Sequence, residues 1–87
     1  MSVFMVERNL KGISMEDLGG AQKATIEKAG EMTAAGTDVK YIRSTFAPED
    51  GRCMCLFEAS TADDVKRLND EVSLPYTRVV EALDLTP

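Results

Sequence analysis

The 87-residue chain predicts an α+β fold, a βαββαβ sandwich in which one four-stranded antiparallel sheet carries two helices on one face. Three observations predict it. β-rich runs and helix-periodic runs follow one another in that order. The two middle strands are joined by a short turn rich in proline and glycine. The two halves also echo each other: Val6-Glu7 followed by Ser14 to Asp17 matches Phe57-Glu58 followed by Ser60 to Asp63, each an apolar strand end, a glutamate and a serine-led helix start. The length suits a single domain over residues 1–87 with a thin core.

Each element has its own warrant. Residues 2–8, Ser-Val-Phe-Met-Val-Glu-Arg, read as the first strand, and Asn9 to Gly12 as a loop. Ser14 can accept a hydrogen bond from a free N–H of a helical first turn, and Asp17 favours the positive helix end. From Met15 to about Ala35 the period is helical: Met15, Leu18, Gln22, Thr25, Ile26, Ala29 and Met32 fall on one side, with Gly36 as the stop. Val39 to Phe46 reads as a strand, Ala47-Pro48-Glu49-Asp50-Gly51 as the turn, and Arg52 to Ala59 as the return strand. Ala62, Val65, Leu68 and Val72 form the stripe of a short helix, which Pro75 ends. Tyr76 to Leu85 reads as the last strand.

Side chains alternate across a strand, so the sheet's two faces can be listed before it is seen. Val3 and Met5 oppose Phe4 and Val6. Met54 and Leu56 oppose Cys53, Cys55 and Phe57. Val79 and Leu83 oppose Val80 and Ala82. Helices cover one face only, yet both carry apolar groups. A second copy of the chain packed on the open face is the expected solution, which makes the protein a homodimer.

Composition excludes several function classes. The net charge of −5 disfavours nucleic acid and anionic membrane surfaces as partners. The chain holds no histidine, which removes Ser-His-Asp and Cys-His catalysis and every histidine-containing zinc pattern. No run of about 18 apolar residues exists to span a membrane. The N-terminal residues lack the charge and apolar length of a secretory signal, and two cysteines without such a signal point to a cytoplasmic protein with free thiols. The strand order also occurs in RNA-recognition domains, but their third strand stacks bases on aromatics, and Arg52-Cys53-Met54-Cys55 puts thiols in those places.

The chemistry-bearing residues lie on the strands. Cys53 and Cys55 project to one face, where two sulfurs can share a soft metal ion or meet two more from a symmetry mate; burial as core or interface residues is the competing reading. Glu7, Arg43, Glu58, Arg78 and Glu81 interrupt apolar strands with charge. Glu7 shares a face with Val3 and Met5, Glu81 with Val79 and Leu83, and Arg43 with Tyr41. Within a cleft or seam such charges must pair or hold a ligand. Tyr41 and Tyr76 can orient a small molecule. The expected ligand-binding set is Arg43, Tyr41, Glu81 and Arg78.

Four segments carry a family resemblance: Phe4-Met5-Val6-Glu7-Arg8, Tyr41-Ile42-Arg43-Ser44-Thr45-Phe46, Arg52-Cys53-Met54-Cys55-Leu56-Phe57-Glu58-Ala59 and Leu74-Pro75-Tyr76-Thr77-Arg78-Val79-Val80-Glu81-Ala82. Together they resemble a family of small actinobacterial proteins, a domain of unknown function that includes nickel-binding, nickel-responsive members. The resemblance implies a ferredoxin-like fold and a dimer, and it implies nickel or another thiophilic divalent metal as cofactor. Nickel ordinarily takes imidazole with carboxylates in support. In a chain without histidine, Glu7, Cys53 and Cys55 are the metal-ligand candidates that remain. Two functions compete: a dimeric protein that binds a small ligand or metal ion in a pocket within the open face, and a cofactor-independent enzyme using Glu7 or Glu81 with Arg43. A purely structural interaction module is the third.

Overall fold

Apolar alternation, two hydroxyl-capped helix starts and a glycine-bearing turn arrange the chain as β1 (Ser2–Asn9), α1 (Met15–Ala34), β2 (Val39–Phe46), β3 (Arg52–Ala59), α2 (Ala62–Glu71) and β4 (Arg78–Ala82). The structure, a computed structural model, describes residues Met1–Pro87. The strands form one antiparallel sheet in the order β2-β3-β1-β4, and the helices pack against one side of it. This is the ferredoxin-like α+β architecture expected from the residues.

The helix starts follow from their caps. Ser14 Oγ accepts from the Asp17 N–H at 3.0 Å. At α2 the cap is Thr61 and not Ser60: Thr61 Oγ1 accepts from the Asp64 N–H at 3.2 Å. Each first turn also carries two acidic residues, Glu16 with Asp17 and Asp63 with Asp64, at the positive end of the helix. The helix α2 closes before Pro75, at the Val72 cap, and Ser73 then takes a left-handed φ of 58°. Lys28 on α1 meets Glu71 on α2 at 3.7 Å.

Phe4, Val6, Ala29, Met32, Val39, Phe57, Ala59, Val65 and Leu68 fill the space between sheet and helices, with Cys53 and Cys55 among them. Two residues expected on the inner side of α1 face water: Met15 is 72% exposed and Ile26 52%. The inner stripe is narrower than the periodicity indicated, and it runs through Thr25, Ala29 and Met32 at spacings of four and three.

Register defines the open face. Arg43, Leu56, Met5 and Val80 stand in one row across the four strands; Thr45, Met54, Glu7 and Arg78 form the next; Lys40, Glu58, Val3 and Ala82 form a third. Apolar side chains therefore reach both faces, on the open one chiefly through the row of Leu56, Met5 and Val80. The strand β4 stops at Ala82, three residues short of the expected Leu85. Leu83 and Leu85 beyond it are 81% and 85% exposed.

One element departs from plain alternation. Between Tyr41 and Arg43 the register of β2 slips, and Ile42 is the extra residue of a bulge. Tyr41 stands opposite Phe57 on the helix-covered face, whereas Arg43 stands opposite Leu56 on the open one. Arg43 therefore does not share a face with Tyr41, as alternation alone had placed it.

Gly51 sets the other end of the molecule. It has φ 81°, and a Cβ there would lie 2.5 Å from the backbone of Lys11, so no other residue fits without a shift. The Leu10 N–H donates to the Gly51 carbonyl at 2.8 Å. This close approach holds the loop after β1 against the β2–β3 turn and so fixes one wall of the pocket described next.

Candidate functional site

Between α1 and the β2–β3–β1 part of the sheet lies a cavity of about 150 Å³. Its apolar wall comes from Leu10, Leu18, Ala21, Phe46 and Leu74; its polar groups are Arg8, Gln22, Thr25, Tyr41, Ser44, Cys53 and Cys55. No Asp or Glu lines it. On β1 and β3 the inward residues arrive by the period of two, Phe4, Val6 and Arg8 along one and Cys53, Cys55 and Phe57 along the other; on β2 the bulge at Ile42 brings Tyr41 and Ser44, three apart, to the same side.

Arg8 is the group that residue patterns had not singled out. It is 4% exposed, yet it enters no ion pair. Its Nη2 donates to Asn69 Oδ1 at 2.6 Å, and the Asn69 amide in turn donates to the Val65 carbonyl at 2.8 Å. Its Nη1 reaches the Leu74 and Pro75 carbonyls at 3.4 Å each. No fully buried polar side-chain atom is left without a partner, but the positive charge of Arg8 has only neutral partners. The signal for it was present: Arg8 continues the inward series of Phe4 and Val6.

Donors converge on one sulfur. Arg8 Nη2 lies 3.6 Å from Cys55 Sγ, and Ser44 Oγ donates to the same sulfur at 3.0 Å. Behind Ser44 stands Tyr41, whose hydroxyl lies 2.6 Å from Ser44 Oγ and accepts from Gln22 Nε2 at 3.0 Å. The Tyr41 ring meets Phe57 edge-on at 5.5 Å, which holds it in place. Cys53 Sγ is 3.9 Å from Cys55 Sγ, and both thiols are free. Burial, with Cys55 beside it, pushes the Cys53 thiol up to about 11, against a smaller opposing pull from Arg8.

The other residues expected at a site are dispersed. Glu7 is on the open face, paired with Arg78 across the β1–β4 ladder. It stands on the far side of the sheet from Cys53 and Cys55, so these three do not form one ligand set. Arg43 is on the open face too, 3.3 Å from Asp84. As β2 and β4 are opposite edges, that pair draws the segment after Ala82 over the open face. Glu81 lies on the helix side at the exposed β4 edge, in the row of Phe4, Phe57 and Tyr41. Of the expected ligand set Arg43, Tyr41, Glu81 and Arg78, only Tyr41 reaches the cavity. The thiols face the helices, so a partner seated on the open face cannot bring its own sulfurs to them, and the expected pocket within the open face does not contain them.

The chain is thus of the ferredoxin-like class of α+β sandwiches, with a cavity under α1 whose wall joins apolar side chains to two thiols and a guanidinium. The comparisons narrow that class. The family model described as nickel responsive protein SCO4226-like matches residues 4–82, and the chain belongs to that family. The fold is similar to the crystal structure of SCO4226 from Streptomyces coelicolor A3(2), with a TM-score of 0.82 and 20% identity, covering 98% of this chain and 100% of the other. No curated protein matches the chain.

Nickel(II) prefers square-planar or octahedral sets of nitrogen and oxygen donors. Nowhere in the chain do three or more His, Cys, Asp or Glu side chains converge. The residues of one chain do not fit a nickel centre; they offer one pair of sulfurs.

Proposed function

We propose that the chain is a non-enzymatic binding protein that acts as a homodimer and captures a thiophilic metal ion in the cavity beneath α1. The observation that carries this reading is the pair of buried, free thiols 3.9 Å apart in the cavity wall. With metal–sulfur bonds of about 2.3 Å, two ligands of one ion stand about 3.8 Å apart at the tetrahedral angle and about 4.6 Å apart when opposite one another. The sulfurs, 3.9 Å apart, are already at the tetrahedral separation and within about 0.7 Å of the linear one, so capture requires little movement. Family membership supports a link to metal. The dimer reading rests on the apolar row of Leu56, Met5 and Val80 and on the exposed Leu83 and Leu85 that follow β4.

The enzyme reading lacks its parts in one place. It needs a carboxylate with Arg43 in a cavity, and the cavity wall holds neither. Uptake of Ni²⁺, Zn²⁺, Cd²⁺ and Cu⁺ by reduced protein, followed by calorimetry, tests the metal reading. Binding of at least one of these ions that disappears in Cys53→Ser plus Cys55→Ser supports it; failure to take up any of them overturns it. Capture displaces the thiol protons, so affinity rises with pH.

A further inference from the structure

Two thiols and a guanidinium occupy one buried corner, and the charge of that corner selects among metal ions. We propose that the Cys53–Cys55 pair is a two-sulfur site for a monovalent thiophilic cation such as Cu⁺ or Ag⁺, with Arg8 as its built-in counter-charge. The proposal rests on the thiol-capture reading above and adds to it the ion's charge and the role of Arg8.

Arg8 sets the charge of the corner. An ionised group taken from water costs several kcal/mol unless an opposite charge compensates it. Arg8 is almost wholly buried and has Asn69, two carbonyls and a sulfur as neighbours, with no carboxylate. What this corner lacks is a single negative charge. Two thiolates holding one monovalent ion sum to a single negative charge, which the guanidinium cancels. Two thiolates holding a divalent ion sum to zero, and Arg8 is left uncompensated.

Ligand number points the same way. A divalent ion needs donors beyond these two sulfurs, and no carboxylate or imidazole stands near to supply them. Soft monovalent ions accept two thiolates alone, held nearly opposite one another, so capture parts the sulfurs from 3.9 Å towards about 4.6 Å. Geometry places the counter-charge well: Arg8 Nη2 is 3.6 Å from Cys55 Sγ, a charge-assisted contact once that sulfur carries the ion. Ser44 donates to the same sulfur at 3.0 Å. The step balances simply. Two S–H protons leave to solvent, two metal–sulfur bonds form, and no electron is transferred because copper enters as Cu⁺.

The experiment compares two soft ions that differ in charge. Reduced wild-type protein, Arg8→Met and Arg8→Lys are each titrated with Cu⁺ delivered from a chromogenic Cu⁺ chelator, and separately with Cd²⁺. Wild type takes one Cu⁺ per chain. Arg8→Met loses roughly a hundredfold in Cu⁺ affinity, the size expected when the partner of a buried charge is removed. Its Cd²⁺ affinity holds or rises, and Arg8→Lys restores most of the Cu⁺ binding. Equal loss of both ions in Arg8→Met, or none for Cu⁺, overturns the proposal. Should Arg8→Met fail to fold, X-ray absorption of Cu⁺-loaded wild type decides: two sulfur ligands support the proposal, while a third ligand or any nitrogen or oxygen donor overturns it. If neither ion binds wild type, the thiol-capture reading falls as well; if Cd²⁺ binds through the thiols and Cu⁺ is indifferent to Arg8, only the charge selection falls.

Discussion

The two faces of the sheet are built from the same strands by the same alternation, and they treat charge in opposite ways. On the open face one central row, Leu56, Met5 and Val80, is apolar, and beside it charges pair in water: Glu7 with Arg78, Arg43 with Asp84. Such pairs contribute little to stability and are screened by salt. On the covered face one cation, Arg8, sits out of water without an anion, next to two thiols. The difference teaches which face is incomplete. Charges that are already neutralised need no ligand, and an apolar patch ringed by them fits a second protein surface. In the reading proposed above, a buried cation beside two displaceable protons is completed when metal-bound thiolates form there.

The largest expected contrast concerns packing. Phe57, fully buried at the centre of the covered face, should cost about 3–5 kcal/mol when changed to Ala, measured by urea unfolding. Leu56, its neighbour on the open face, should cost closer to about 1 kcal/mol as Ala in a dimer-free sample. Equal costs would break the comparison. Next in size is association. Leu56→Lys places a charge in the apolar row and should halve the mass seen by light scattering while leaving the fold intact. A dimer that survives the change is held together elsewhere.

A smaller effect separates the faces by pH in metal-free protein. The Cys53 thiol is raised to about 11 in the folded chain from 9.0 when unfolded. A raised acid favours the folded state while it is neutral, so this contribution is whole below pH 9 and is lost as pH climbs towards 11. The melting temperature should fall across that window, and Cys53→Ala should flatten the fall. Smallest is the loss of the Arg43–Asp84 pair. Asp84→Asn should change stability by less than about 1 kcal/mol, yet it should speed proteolysis after Ala82 by freeing that segment from the open face.

Much of the fold was legible because its signals are local. The bounds of β2 and β3 follow from strand composition and the turn between them, and Ser14 was readable as a cap from its place before Met15-Glu16-Asp17. That apolar side chains reach both faces followed from alternation alone. What was not legible depended on register and on neighbours distant in sequence. The slip at Ile42 turns Arg43 to the open face, and nothing in Tyr41-Ile42-Arg43 marks a bulge. Met15 and Ile26 fit a helical stripe, but the sheet reaches only a narrower band of α1. Arg8 looks like a strand-end charge until Asn69, Leu74 and Pro75, more than sixty residues later, close around it. Cys53 and Cys55 were identifiable as a pair from their spacing; their union with Arg8 and Ser44, and their separation from Glu7, required the sheet.

If association belongs to one face and ion capture to the other, the ion count of the open-face variant tests that division most directly. Native mass spectrometry of reduced Leu56→Lys loaded with Ag⁺ should show a single chain carrying one ion. A single chain that has lost its ion along with its partner would place the site between subunits and contradict the account.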